Sequence, residues 1–263
     1  MPSSIPVSAR FLRGAAIPFL AACASCTSLI GGKAEIRENR KFIIESGQLE
    51  LNLPNSERPY ALHVEVGKFD VSRLYDRNRI ILRKSAEEVR DMDYHSWAVR
   101  PSEMITDAVE GYLKEARLFT DIRQDFVDVI PEYRITGTVK SLERLDSGDQ
   151  WYANFRLSVQ LVDGRNEVVK RWDFDDEAER VYHRDFVHTV SAFNELLRRF
   201  MYRVVRDMDH MFLIRKLQRE NRPYQHILDV PNGRAAAPAD TAASDTTREA
   251  PHPDYDIIPG KGL

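Results

Sequence analysis

The sequence predicts an α+β fold in which two amphipathic helices lie on a sheet built around an antiparallel meander. Three observations predict it. Trp151, Ala153, Phe155, Leu157, Val159 and Leu161 alternate strictly with polar or small residues, the period-2 pattern of a half-buried strand. Ile105, Ala108, Val109, Tyr112, Leu113 and Ala116 recur at helical spacing and form one apolar stripe. Phe186, Val190, Phe193, Leu197, Phe200 and Val204 form a second stripe at alternating steps of four and three.

The chain begins with a pattern of a different kind. Arg10 and Arg13 precede a short apolar run from Gly14 to Ala22, which ends in Leu20-Ala21-Ala22-Cys23. A charged start, a short apolar core and small residues before a cut form the layout of an export signal. The run is too short to span hydrocarbon, which takes about 20 residues. The ending resembles a bacterial lipobox, which implies cleavage before Cys23, an S-diacylglycerol thioether on its sulfur and a palmitate-type N-acyl group on its amine. Cys26, the second of two cysteines, then lies as a lone thiol in the tether, and the pair lacks the second pair of ligands that a zinc site takes. Residues 1–22 are thus read as a signal peptide and 23–40 as a flexible tether, rich first in Ser, Thr and Gly and then in charge.

From residue 41 the chain reads as one domain, to about residue 220. Phe42-Ile43-Ile44 opens it, and Pro54 and Pro59 punctuate a loop. Tyr60 to Val71 reads as a strand, with Leu62, Val64 and Val66 alternating against His63 and Glu65. Asn78–Arg83 is a second strand, and a shorter extended piece falls near Val89 and Met92. Tyr94 to Pro101 reads as a hinge into the first helix, because proline is well tolerated at the first helical position. Tyr133 to Glu179 reads as the meander, with turn chemistry at Asp146-Ser147-Gly148-Asp149 and a hairpin signal at Asp163-Gly164. The second helix is expected from Phe186 to about Phe212. Proline, alanine and acidic residues then dominate 221–263, the composition of a disordered tail.

Composition excludes several classes of function. The formal net charge is −3 and falls to −5 when Arg10 and Arg13 leave with the signal, so no basic face is indicated for nucleic acid. No nucleophile elbow, phosphate loop, zinc-protease motif or dinucleotide fingerprint occurs. The densest polar group, Asp173, Asp175, Asp176, Glu177, Glu179, His183, Asp185 and His188, reads as solvent-facing charge with neighbouring counter-ions. Accordingly no catalytic, cofactor or metal residues are assigned, and the protein is read as a non-enzyme.

The order of elements resembles the ABC-type transport auxiliary lipoproteins, including the paraquat-inducible protein C type and lipoproteins encoded with MCE-type lipid transporters. The resemblance is carried by the lipobox at Cys23, Leu62–Val66 with Phe69, and the stretch around Leu74 and Arg79-Ile80. Tyr94 and Trp97 before Pro101, Met104 and Leu113 continue it, followed by Tyr133–Val139, Trp151–Leu161 and the second helix. It implies a mixed, largely antiparallel sheet with two helices, similar to the N-terminal domain of TolB. It also implies an auxiliary component of intermembrane lipid transport, with an MCE-domain protein and an ABC permease and ATPase as partners and a homo-oligomeric ring as one arrangement. Ala24 after the cysteine favours the outer membrane, facing the periplasm. Tyr94 and Trp97 are candidate interface residues. The alternative is an outer-membrane scaffold or envelope-assembly lipoprotein without lipid traffic.

Overall fold

The fold follows from one long hairpin. The computed structural model describes residues 38–49, 57–175 and 178–225. Among them, strands run in chain order as β1 Arg40–Phe42, β2 Tyr60–Val66, β3 Asp70–Val71, β4 Arg79–Arg83 and β5 Val89–Trp97. Helix α1 Pro101–Ala116 follows, then β6 Phe119–Arg123, β7 Tyr133–Ser147, β8 Gln150–Asp163, β9 Val168–Phe174, β10 Ala178–Val181 and helix α2 Phe186–Arg219.

β7 and β8 pair antiparallel along almost their whole length, from Tyr133↔Asp163 to Ser147↔Gln150. The turn at Gly148, with φ 60, closes this hairpin in the left-handed region that glycine enters without penalty. On the far edge of β8, β9 and β10 add antiparallel at opposite ends. On the far edge of β7, three short strands follow one another in parallel: β2 beside Tyr133–Ile135, β3 beside Thr138–Val139, and β4 beside Glu143–Leu145. β6 extends the sheet beyond β2 in parallel, and β5 then β1 extend it beyond β4. The sheet is therefore mixed, with its longest ladder antiparallel.

The meander read from alternation is present as β7, β8 and β9. The strand expected over Tyr60–Val71 divides into β2 and β3, because the chain leaves the edge of β7 after Gly67, whose N–H still reaches the Ile135 carbonyl at 2.8 Å, and the Phe69 N–H turns to Thr106 Oγ1. There Phe69 packs across Gly137, where a Cβ would lie 2.6 Å from the Ser158 carbonyl oxygen and closer still to the Phe69 ring. Glycine inside a strand marks such a close approach. The stretch expected as a hinge is instead strand through Trp97, because β1 pairs with His95, Ser96 and Trp97 and fixes it in the sheet.

The core is aromatic. α2 lays its stripe over the sheet, and Phe186, Val190, Phe193, Leu197, Phe200 and Val204 are all buried. The Phe200 ring stacks on Phe174 at 4.3 Å, and Phe155 contacts both Phe193 and Phe200. Such pairs add about 0.5–1.5 kcal/mol each beyond their buried area. Trp172 donates its indole N–H to Asp207 Oδ2 at 3.0 Å, tying β9 to the middle of α2. Buried Asp209 accepts from the Tyr60 hydroxyl at 2.9 Å. The segment Glu45–Gly47 runs between the helices, and Ser46 lies against Gly111, where a side chain has no room.

The chain divides after Asp209 into two units. In the second, the helix continues from His210 to Arg219, beyond the expected end near Phe212, because Leu213–Gln218 contains no breaker. Asn221, at φ 54, stops it, and the Arg222 N–H caps the Leu217 carbonyl at 2.9 Å. Among the described residues no helix is long and apolar enough to cross a membrane.

Candidate functional site

The two aromatic candidates lie on the same strand and are placed oppositely. Trp97 ends β5 and is 2% exposed, its indole 6.2 Å from Phe186 and from Phe193. It sits in the core beneath the start of α1 and α2 and offers no surface to a partner. This corrects its reading as an interface residue: a side chain on the inner face of β5 is covered by α2. Tyr94, three residues earlier, is 47% exposed.

Tyr94 owes its position to a distortion. Between the pairs Ile81↔Asp91 and Arg79↔Ser96 the register slips, so Met92–His95 bulges away from β4. Tyr94 takes φ 58, a left-handed value that is unusual for a bulky residue. Strained backbone of this kind costs about 1–3 kcal/mol and gathers at functional positions. The bulge is held from both sides. The His95 ring stacks on Phe42 at 5.5 Å and meets Phe186 edge-on at 6.0 Å, while its Nδ1 lies 2.7 Å from the Asp93 carbonyl. Arg40, paired in register with His95, sits over Phe42 and reaches Asp185 at 3.0 Å. The result is a rigid platform at the β1–β5 edge that presents one aromatic ring outward.

Asp185 is also the N-cap of α2, accepting from the Val187 N–H at 3.1 Å. That backbone bond, reinforced by Arg40, holds its carboxyl below the usual carboxylate range. The rest of the acidic stretch is neutralised locally. Lys140 bridges Asp173 and Asp175, and Arg199 pairs with Glu179. Asp176 and Glu177 lie outside the described residues. His183 and His188 come together, rings stacked at 4.3 Å, because His183 precedes the helix and is free of its angular spacing. Among the described residues no group of three or more His, Cys, Asp or Glu could hold a metal.

The sequence reading missed a buried polar knot. Glu143 is 2% exposed on β7 and accepts from Tyr75 Oη at 2.8 Å, Arg83 Nε at 2.8 Å and Asn154 Nδ2 at 3.0 Å. Its hydrogen bond raises the Arg83 pKa, and burial raises that of Tyr75. The knot fastens the β3–β4 loop, whose Asp76 also accepts from the Ser102 N–H in the first turn of α1. An open cleft of about 380 Å³ lies between the helices, lined by Glu45, Ser46, Tyr112, Asn194, Glu195 and Arg198. Cys23 lies outside the described residues.

Residues 50–205, more than half of the chain, match the family described as ABC-type transport auxiliary lipoprotein component. The chain belongs to that family. A crystal structure of a DUF330 protein from Xanthomonas campestris shares the fold of this family member, with TM-score 0.55 at 17% identity over 63% of this chain and 92% of that one. The PelC dodecamer from Paraburkholderia phytofirmans aligns at TM-score 0.29 and 11% identity over 52% of this chain and 87% of that one, so the fold comparison rests on the first. No curated protein matches.

Proposed function

We propose that this auxiliary lipoprotein is a non-catalytic, Cys23-anchored component of an MCE/ABC-type system that moves lipid between membranes. The observation that carries the reading is the family match over residues 50–205, joined to the lipobox that ends at Cys23. In this reading residues 1–22 are removed on export and Cys23 bears three acyl chains. A single chain binds a membrane marginally, at about 0.8 kcal/mol per buried CH2, so several are needed for firm anchoring. Residues 23–40 tether the domain of 41–220 to the outer membrane on its periplasmic side, the placement that Ala24 favours, and most of the tail read over 221–263 lies outside the described residues. The domain works by shape: the Tyr94 bulge contacts the MCE-domain subunit, and Trp97 supports it from beneath.

The test is made in cells lacking the protein. Phospholipid distribution between inner and outer membranes is measured by pulse labelling, with the wild-type chain or Cys23→Ser restored. Wild type restores the distribution and is recovered in outer-membrane fractions, its N-terminal peptide carrying diacylglyceryl and acyl mass. Cys23→Ser fractionates as soluble and does not restore it. Normal lipid distribution in the absence of the protein would overturn the transport reading, and an unmodified Cys23 would overturn the anchor.

A further inference from the structure

Residues 40–49 form an arm that is fastened piece by piece. Among the described strands β1 pairs with β5 alone, through three residues. The Phe42 carbonyl accepts from the Ala98 N–H at 2.7 Å, and beyond it the arm leaves the sheet and runs between the helices. Its backbone donors then turn to helix side chains. The Ile44 N–H meets Met104 Sδ of α1 at 3.1 Å, the Glu45 N–H donates to Asn194 Oδ1 of α2 at 3.3 Å, and the Leu49 N–H donates to Glu115 Oε1 of α1 at 3.2 Å. Ile44 and Leu49 are buried, while residues 45–48 between them are exposed. Two apolar pins and three side-chain acceptors therefore hold the arm where strand pairing ends. α1 is cut to receive it. Glycine in the middle of a helix weakens it, yet Gly111 stands there, and a Cβ on it would lie 2.8 Å from the Ser46 Cβ and nearer still to its hydroxyl. The same arm supports the Tyr94 platform: Phe42 carries the His95 ring at 5.5 Å, and Arg40 reaches Asp185 at 3.0 Å. Tyr94 adjoins His95, and a left-handed tyrosine such as this one, at φ 58, persists only while its surroundings over-determine it.

We propose that residues 40–49 are a releasable arm through which the membrane tether controls the Tyr94 platform. Seated, the arm stacks Phe42 under His95 and keeps the bulge rigid. Withdrawn, it takes away that stack and the Arg40–Asp185 pair, and the strained backbone at Tyr94 relaxes. Ordering and release of one segment is a common form of switch. The trigger is distance. A fully extended chain spans at most about 60 Å from Cys23 to Arg40, so a domain drawn further than this from its anchored cysteine puts the load on Arg40 first. The trigger and the role of Tyr94 rest on the Cys23-anchored transport reading, whereas the arm and its coupling to the bulge do not.

Hydrogen–deuterium exchange of the full mature chain in detergent tests the arm without any partner. Segment 40–49 should open on its own and exchange at least about tenfold faster than 133–163 of the central hairpin. Gly111→Ala puts a methyl group where Ser46 sits and suits the interior of α1. It should speed exchange of 40–49 and of 89–97 together, by at least about tenfold, and leave 133–163 unchanged. Arg40→Ala, an exposed change at the entry of the arm, should move the same two segments in the same direction. Exchange of 40–49 only at the rate of 133–163, in the wild type and both variants, would overturn the releasable arm. A freed 40–49 with 89–97 still protected would overturn its control of Tyr94. The trigger is read in cells with an Ile44→Cys reporter, its maleimide labelling measured on the peptide that contains it. A chain lacking residues 28–35 of the tether should label faster than the full-length tether, and equal labelling would overturn distance as the trigger.

Discussion

Gly137→Ala tests the packing on which the sheet depends. Gly137 lies in β7 opposite Val159, with the Phe69 ring across it. An added Cβ falls 2.6 Å from the Ser158 carbonyl oxygen, about 0.8 Å short of ordinary contact, and nearer still to Phe69. Phe69 is fully buried and its N–H is held by Thr106 Oγ1 at 2.9 Å, so the ring has nowhere to swing. Alanine recovers about 0.5–1 kcal/mol of backbone entropy relative to glycine. Overpacking that moves backbone costs typically 1–3 kcal/mol, occasionally more. With both a carbonyl and a ring in the way the upper end applies, giving a net loss of about 2 kcal/mol. Urea unfolding followed by the fluorescence of Trp97, Trp151 and Trp172 measures it, with the midpoint falling at unchanged slope. Adding Phe69→Leu should recover part of the loss, since contacting residues couple by 0.5–3 kcal/mol. A Gly137→Ala protein within about 0.5 kcal/mol of wild type, the range of an ordinary surface substitution, would mean that the Phe69–Gly137 contact tolerates a Cβ.

Three further outcomes follow from the same geometry. Asp185→Ala removes an N-cap and should cost about 1 kcal/mol at neutral pH. Because the folded carboxyl titrates below its usual range, its contribution is present above the unfolded pKa and is lost as pH falls through the folded value. The two unfolding curves should therefore converge in acid, and a deficit independent of pH would exclude the charged cap. Glu143→Ala leaves the Arg83 guanidinium and Tyr75 hydroxyl without their acceptor and should cost about 3 kcal/mol, read by chemical denaturation. The two candidate aromatics should separate cleanly in thermal melts. Trp97→Ala empties a core site and should cost about 3–5 kcal/mol, whereas Tyr94→Gly relieves a left-handed backbone and should raise stability by about 1 kcal/mol.

What could be read from the sequence was whatever repeats locally. β8 announces itself through its alternation, and α1 and α2 through stripes whose members are all buried. The parallel strands on the edge of β7 are harder, because β3 has two residues and β6 five, too short for a period to register. Their partners are set by pairing with distant residues. β1 illustrates the point, since its pairing with His95–Trp97 turns an apparent hinge into strand. The left-handed tyrosine could not be read, because nothing in a tyrosine marks positive φ. Glu143 escaped for the same reason: a charged residue in a strand looks solvent-facing until Arg83 and Tyr75, 60 and 68 positions away, are placed against it. The lipobox-like ending at Cys23 stands out in the sequence because export signals are patterns of neighbouring residues.

The proposed role of this lipoprotein is that of an auxiliary subunit of a lipid transporter. The most direct measurement is quantitative mass spectrometry of detergent-extracted complexes, captured through a tag on the C-terminus of the full chain in its own cells. An MCE-domain protein should co-purify with an ABC permease and ATPase in fixed ratio, and less of them should be recovered with a folded Tyr94→Gly variant. A lipidated, folded protein that brings down none of these subunits, even after membrane-permeable crosslinking, would contradict that role.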